Sequence, residues 1–227
     1  MGWSRRILSP VPRDAAAIRS FPELYRAWRL ARVVCVPTLF IVPGSPALVQ
    51  ELSLANAASH HLTRTIRDTV LDAVPDGVPV DIVCPLDEDS YTAHTGSLRA
   101  WGAPQVQVGG GNHLGELVVR YVLGDRDYRP AREKIGQLDS EALTVVVVDG
   151  PAGVTPRAPL ALVPGAGETH EGLQAFIAGD APLPPLEGGV LKPELWHELA
   201  ALSPVEQTLL AADDSLGVGR YVGVWTW

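Results

Sequence analysis

The stretch Ala142 to Asp149, ALTVVVVD, constrains the fold of this chain more than any other. Four consecutive valines after a threonine leave no polar position to face water. A short β-branched run of that kind suits a strand covered on both faces, the usual situation in a parallel sheet. Parallel neighbours need long crossover connections, normally helical. The run therefore predicts strands alternating with helices.

The rest of the chain supplies that alternation. Residues 1–31 read as a helical appendage: in RDAAAIRSFPELYRAWRLAR, Asp14 is placed to cap and Pro22 suits the first turn of a second segment. Then comes VVCVPTLFIVPG, Val33 to Gly44. Val33–Val36 reads as a strand stopped by Pro37. That puts Pro37-Thr38-Leu39-Phe40 in the loop at a strand's carboxyl end, where α/β proteins usually hold ligands. A helical pattern runs from about Pro46 to Val74, with Leu48, Leu52, Ala55, Leu62, Ile66 and Val70 near a 3.6-residue spacing. VPVDIVC, Val78–Cys84, reads as a second buried strand, followed by the acidic loop PLDEDSYTAHTGS.

PQVQV reads as a third strand, and GGGN leads into a helix from about His113 to Leu123 capped by Asn112. A Pro/Gly-rich loop from Gly150 to Gly167 precedes a helix near Thr169 to Ala178. Two short helices are expected near Pro193 and Pro204. GRYVGVWTW closes the chain as a strand, with Tyr221 and Trp225 on one face and Val222 and Val224 on the other. The expected fold is α/β, a three-layer α/β/α arrangement with a mostly parallel or mixed central sheet, in one domain over residues 32–227.

Charge narrows the function classes. A net charge of −8 disfavours nucleic-acid backbones and anionic membranes as partners, because both reward basic patches. No apolar run approaches the roughly 18 residues that a membrane span needs. MGWSRRILSPVPRD lacks a signal peptide's apolar core, and Arg6 breaks the myristoylation pattern. Two cysteines form no disulfide framework, so a cytoplasmic location is expected.

Several residues carry chemistry. Adjacent His60 and His61 point about 100° apart on a helix and suit a solvated face better than one metal. His113 and Glu116 are three apart and could face one ligand, with no third donor in view. His94 shares its loop with Asp87, Glu88 and Asp89, a donor set a divalent ion would tolerate. His170, between Glu168 and Glu171, decorates a helix start, and His197 reads as structural. Gly109-x-Gly111 lacks the third glycine of a dinucleotide fingerprint, since position 114 is Leu114, although its exposed N–H groups could meet an anion. Cys35 and Cys84 both end predicted strands, each just before a proline, and read as buried small residues. The pocket candidates are Cys35, Thr38, Cys84, Asp87, Asp89, His94 and Asp149.

Three segments in order resemble the LigB-type family, the catalytic-subunit fold of class III extradiol ring-opening dioxygenases. CVPTLFIVPG matches the family's strand, Pro-His-Pro-Pro turn and apolar run without a gap. VVVVDGPAGVTPRAP, Val145–Pro159, has the frame of its Asp-Leu-Ser-His and Thr-Pro-x-Ala-Pro segment. GVGRYVGVWTW is similar to its last strand. The likeness spans about Arg32 to Trp227 and is nearest to the small actinobacterial members of unassigned role.

The resemblance implies a site of two histidines and a glutamate on Fe(II), with a further histidine as acid–base group. Carried over, the first ligand falls on Pro37, the second on Asp87 and the acid–base histidine on Ala152. The glutamate finds no clear counterpart, with Glu168 and Glu171 its candidates. The resemblance thus implies a family member without the iron centre, a non-catalytic binding or interaction module with no cofactor and a small-molecule ligand. The rival is an active metal-dependent dioxygenase or hydrolase holding Fe(II) or Zn(II) through Asp87, His94 and His170. A third is a partner subunit of such an enzyme; a homodimer or a companion chain is the expected association.

Overall fold

The structure, a computed structural model, describes residues 37–227. The expected appendage, the expected strand Val33–Val36 and Cys35 lie outside the described residues. Seven strands and four α-helices follow: β1 (Thr38–Val42), α1 (Ala57–Ala73), β2 (Val80–Val83), β3 (Ser97–Leu98), β4 (Ala103–Gln107), α2 (Leu114–Leu123), β5 (Leu143–Val147), α3 (Ala166–Ala178), α4 (Glu194–Ala200), β6 (Glu206–Asp213) and β7 (Arg220–Thr226). The fold is α/β with a mixed sheet.

Five strands form the main sheet in the order β2-β5-β1-β7-β6. The valine run is its parallel centre. β5 pairs with β1 from Thr38↔Leu143 to Val42↔Val147 on one side and with β2 from Val80↔Leu143 to Val83↔Val146 on the other. β7 joins β1 antiparallel and β6 joins β7 antiparallel. Side chains alternate between two cores, as period 2 requires. Phe40, Val42, Val145, Val147 and Val222 pack with Leu62, Ile66 and Val70 of α1 and Leu117 and Val118 of α2. Leu39, Ile41, Val146, Tyr221 and Trp225 pack with Leu173 and Phe176 of α3 and Trp196 and Leu199 of α4. The expected split of Tyr221 and Trp225 from Val222 and Val224 holds.

Several boundaries differ from expectation. β1, the described strand in VVCVPTLFIVPG, lies after the proline, so Pro37 and Thr38 stand at its amino end and Leu39-Phe40 are fully buried strand residues rather than loop. Proline just before a strand costs no ladder hydrogen bond, and Thr38–Val42 registers with β5. The helical pattern from Pro46 to Val74 is interrupted. Pro46–Leu48 and Gln50–Leu52 are single 3-10 turns, and α1 begins anew where Asn56 Oδ1 accepts the Ser59 N–H at 2.7 Å. PQVQV belongs to a separate two-stranded ribbon, β3-β4, outside the main sheet. The segment after Pro204 is strand β6, not a helix.

The two edges of the main sheet are treated differently. Along β2 runs the segment 127–132, whose backbone makes Val80 N–H to Asp127 O at 2.8 Å, Arg129 N–H to Val80 O at 3.0 Å and Cys84 N–H to Arg132 O at 3.0 Å. Asp81 there meets Arg129 and Arg132. At the β6 side, the one wholly buried guanidinium among the described residues, Arg220 at 0% exposure, binds Asp213 and donates to Ser59 Oγ of α1 at 2.6 Å. A buried cation is tolerated only with partners of that kind. Arg220 thus ties the β6-β7 hairpin to α1.

Gly223 of β7 lies against α3: a Cβ built there would overlap Ile177 Cγ2. Gly223→Ala is therefore expected to cost about 1–3 kcal/mol through overpacking. The check is urea unfolding, with a lowered midpoint and an unchanged slope.

Candidate functional site

Because β2, β5 and β1 are parallel, their carboxyl ends open on one edge of the sheet. β1 continues into Pro43-Gly44, β5 into Val148-Asp149-Gly150 and β2 into Cys84-Pro85. Val148 N–H still reaches Val42 O at 3.0 Å, so the ladder persists to these tips. Gly44 N–H donates to Asp149 Oδ1 at 3.2 Å, and a Cβ at Gly44 would stand 3.0 Å from Asp149 Oδ2. Glycine is what lets the β1 backbone approach that carboxyl. Trp196 Nε1 of α4 donates to Asp149 O at 3.0 Å and fixes the backbone from the other side.

Asp149 keeps partial solvent access but is closely surrounded by protein. Burial pushes its carboxyl up to about 6, against the Gly44 N–H and the charges of Arg220 and Lys192, which favour the anion. Next to it, the Tyr221 hydroxyl bonds His170 Nδ1 at 2.7 Å and sits between Gly150 and Gly219. Those glycines close on each other through Gly150 N–H to Gly219 O at 2.7 Å. Burial lowers the His170 pKa and raises that of Tyr221, so both are held neutral. The pair is a buried post beneath the tips.

Asp87 follows β2. Its Oδ1 accepts the Ser90 N–H at 3.0 Å, starting the 3-10 turn Glu88–Ser90, and its Oδ2 takes the ammonium of Lys192. Burial acts to raise its pKa, but the Lys192 and Ser90 hydrogen bonds prevail and hold it below the usual carboxylate range. Lys192 lies in the linker between α3 and α4, so this ion pair joins segments 105 residues apart. The linker is anchored elsewhere too, by Ala152 N–H to Gly189 O at 2.9 Å, Thr169 Oγ1 to Pro185 O at 3.2 Å and the buried Leu186.

The other sequence candidates scatter. Pro37 and Thr38 stand at the opposite end of β1, seven and six residues before Gly44 and so roughly 20 Å away along the strand. Ala152 is buried beneath Gly189. Cys84 is fully buried, and burial with the nearby Glu116 carboxylate pushes its thiol up to about 12, which removes its nucleophilicity. His94 and Asp89 are exposed. His113, rather than Asn112, holds the cap position of α2 and rests edge-on to Tyr91. Asn112 instead donates to Thr92 O at 2.8 Å. Glu116 is consumed by Arg120 at 2.9 Å and by the Asn112 N–H at 3.2 Å, so its own carboxylate fills the anion position before that helix. His60 reaches Ser53 O at 3.2 Å, and His61 and His197 are exposed.

Among the described residues, no three His, Cys, Asp or Glu side chains stand close enough to share one ion. The donor set Asp87, His94 and His170 is not assembled: Asp87 faces Lys192, His170 faces Tyr221 and His94 lies on the surface. The residues present do not fit an Fe(II) or Zn(II) centre there. Lys192 is the residue that sequence reasoning missed, since nothing in GGVLKPELW marks it as a partner of Asp87.

Outside the tips, a concave site of about 440 Å3 lies between the loop after β5 and the β6-β7 turn, lined by Thr155, Pro156, Arg157, Ser215 and Leu216. No helix among the described residues is long and apolar enough to cross a membrane.

Asp149 sets a pH dependence of stability. Its folded pKa of about 6 exceeds the ordinary 3.8, so the folded state binds more protons between those values and loses stability as pH rises through that window. Asp149→Asn keeps an acceptor for Gly44 and removes the penalty. The variant is expected to be more stable at pH 7 by about 1–3 kcal/mol, with the gain vanishing below about pH 4. Urea titrations at pH 4 and pH 7 measure it.

No protein-family model matches the chain, and no curated protein sequence matches it.

Proposed function

We propose that this chain is a LigB-like protein without the family's Fe(II) ligands and acid–base histidine, acting as a non-catalytic binding or interaction module. One observation carries the reading: Asp87, the only donor side chain at the positions the resemblance maps, is paired with the ammonium of Lys192. That internal cation supplies the positive charge an ion would bring. The burial of Ala152 supports the same reading, whereas Pro37, ahead of β1, does not stand at the strand tips where the resemblance would put it. The neutral His170–Tyr221 pair, which is committed to packing beneath the strand tips, supports the reading too. The patterning of β1, β5 and β7, not a metal, specifies the sheet, so a scaffold can outlast its chemistry.

The test is metal analysis and turnover together. Protein produced with added Fe(II) and purified without chelator is expected to hold far less than one iron per chain. It is expected to open no catechol ring in the presence of dioxygen. Stoichiometric iron that disappears in Asp87→Ala or His94→Ala would overturn the proposal in favour of an active metal-dependent enzyme.

The ion pair also makes a stability prediction. Its side chains retain 43% and 36% exposure, so water screens the attraction. Lys192→Ala is expected to cost less than about 1 kcal/mol, and less still in concentrated salt. Paired urea unfolding at low and high ionic strength reads the difference.

A further inference from the structure

We propose that the concave site between Thr155–Arg157 and Ser215–Leu216 binds a small organic acid, its carboxylate on the Arg157 guanidinium and its apolar body against Pro156 and Leu216. The inference rests on the binding-module reading and names the ligand class. At about 440 Å3 the site falls within the usual range for small-molecule pockets. Its lining is one cation, two hydroxyls and two apolar side chains, the composition that fixes one charged end and leaves room for hydrocarbon.

The walls are preformed. Val154 N–H donates to Gly217 O at 3.1 Å, Ala158 N–H to Thr155 O at 3.0 Å and Val163 N–H to Gly153 O at 2.9 Å. Gly217 has φ +78°, and a Cβ there would come within 2.6 Å of Ala158 and 2.8 Å of Thr155 Oγ1. Loop and turn therefore meet at a glycine that holds them in contact. Ala161, the one non-glycine residue at positive φ among those described (55°), is held in the same loop by its N–H to Ala158 O at 2.9 Å. A backbone fixed that firmly loses little further freedom when a ligand binds.

The one charged side chain in the lining is a cation, Arg157. Asp213 is committed to Arg220 and to the Ser215 hydroxyl, which donates to its Oδ2 at 3.2 Å. Asp214 acts on His170 and Tyr221. Arg157 is exposed and has no ion pair among the described residues. Its planar fork of donors matches a carboxylate, and the Thr155 hydroxyl adds a neutral donor.

Titration of the isotope-labelled full chain with hexanoate, followed by amide chemical shifts, tests this. Hexylamine, with the same hydrocarbon and opposite charge, is the control. Saturable shifts confined to residues around 154–158 and 214–217 are expected with hexanoate and not with hexylamine. Arg157→Gln should weaken binding at least about tenfold, while Arg157→Lys keeps part of it. Arg157 is exposed, so both variants are expected to fold, with unchanged amide dispersion as the check. No saturable shift, equal affinity in Arg157→Gln, or equal binding of hexylamine would overturn the site. None of these results touches the iron measurement, which alone decides the binding-module reading.

Discussion

The backbone ladders on both sides of β5 are the constraint from which the rest follows. A strand paired on both edges and buried on both faces fixes its two parallel neighbours in register, and with them the edge where their carboxyl ends emerge. The connections return over the sheet as helices, with α1 and α2 in one core and α3 and α4 in the other. Asp149 is two residues past this ladder, close to β1 because Gly44 admits it. The position of the candidate site is thus set by hydrogen bonds made several residues away.

The antiparallel half of the sheet needs a different fastening. β6 has residues with partial or full exposure along its whole length, so burial alone holds it weakly. Arg220 compensates, binding Asp213 at the end of β6 and reaching Ser59 in α1, 161 residues before it in sequence. Its burial demands that every strong partner be kept: removing Asp213 would leave an uncompensated charge in the core, at a cost of about 3–5 kcal/mol. The same guanidinium acts on Asp149, so the fastening of the hairpin and the electrostatics of the strand tips are coupled.

What could be read from the sequence depended on how local its cause was. ALTVVVVD and GRYVGVWTW announced themselves because burial on two faces and strict alternation leave direct marks on residue type. The segment after Pro204 did not. Leucine and alanine in EQTLLAAD favour helix intrinsically, and only pairing with β7 makes them a strand, a tertiary override of propensity. In VVCVPTLFIVPG, Thr38–Val42 is a strand through its register with β5, information held 105 positions downstream. In the candidate site, Asp149 was visible as the first polar residue after a buried strand. Lys192 was not, because topology alone brings its linker to Asp87.

On the proposed reading, that pairing poses a mechanical question. A metal ion in such a crevice would cross-link the tips of several strands, whereas an exposed ammonium–carboxylate pair contributes little. Cohesion at the tips must come from neutral contacts, and the structure has them: Trp196 on the Asp149 carbonyl, Tyr221 on His170 between two glycines, and Leu186 buried under the linker. These use hydrogen bonds and packing in the interior, where water does not compete and salt does not screen. The Lys192–Asp87 pair then serves charge balance more than stability. Lys192 balances the Asp87 carboxylate and also acts on Asp149, where its charge favours the anion against burial.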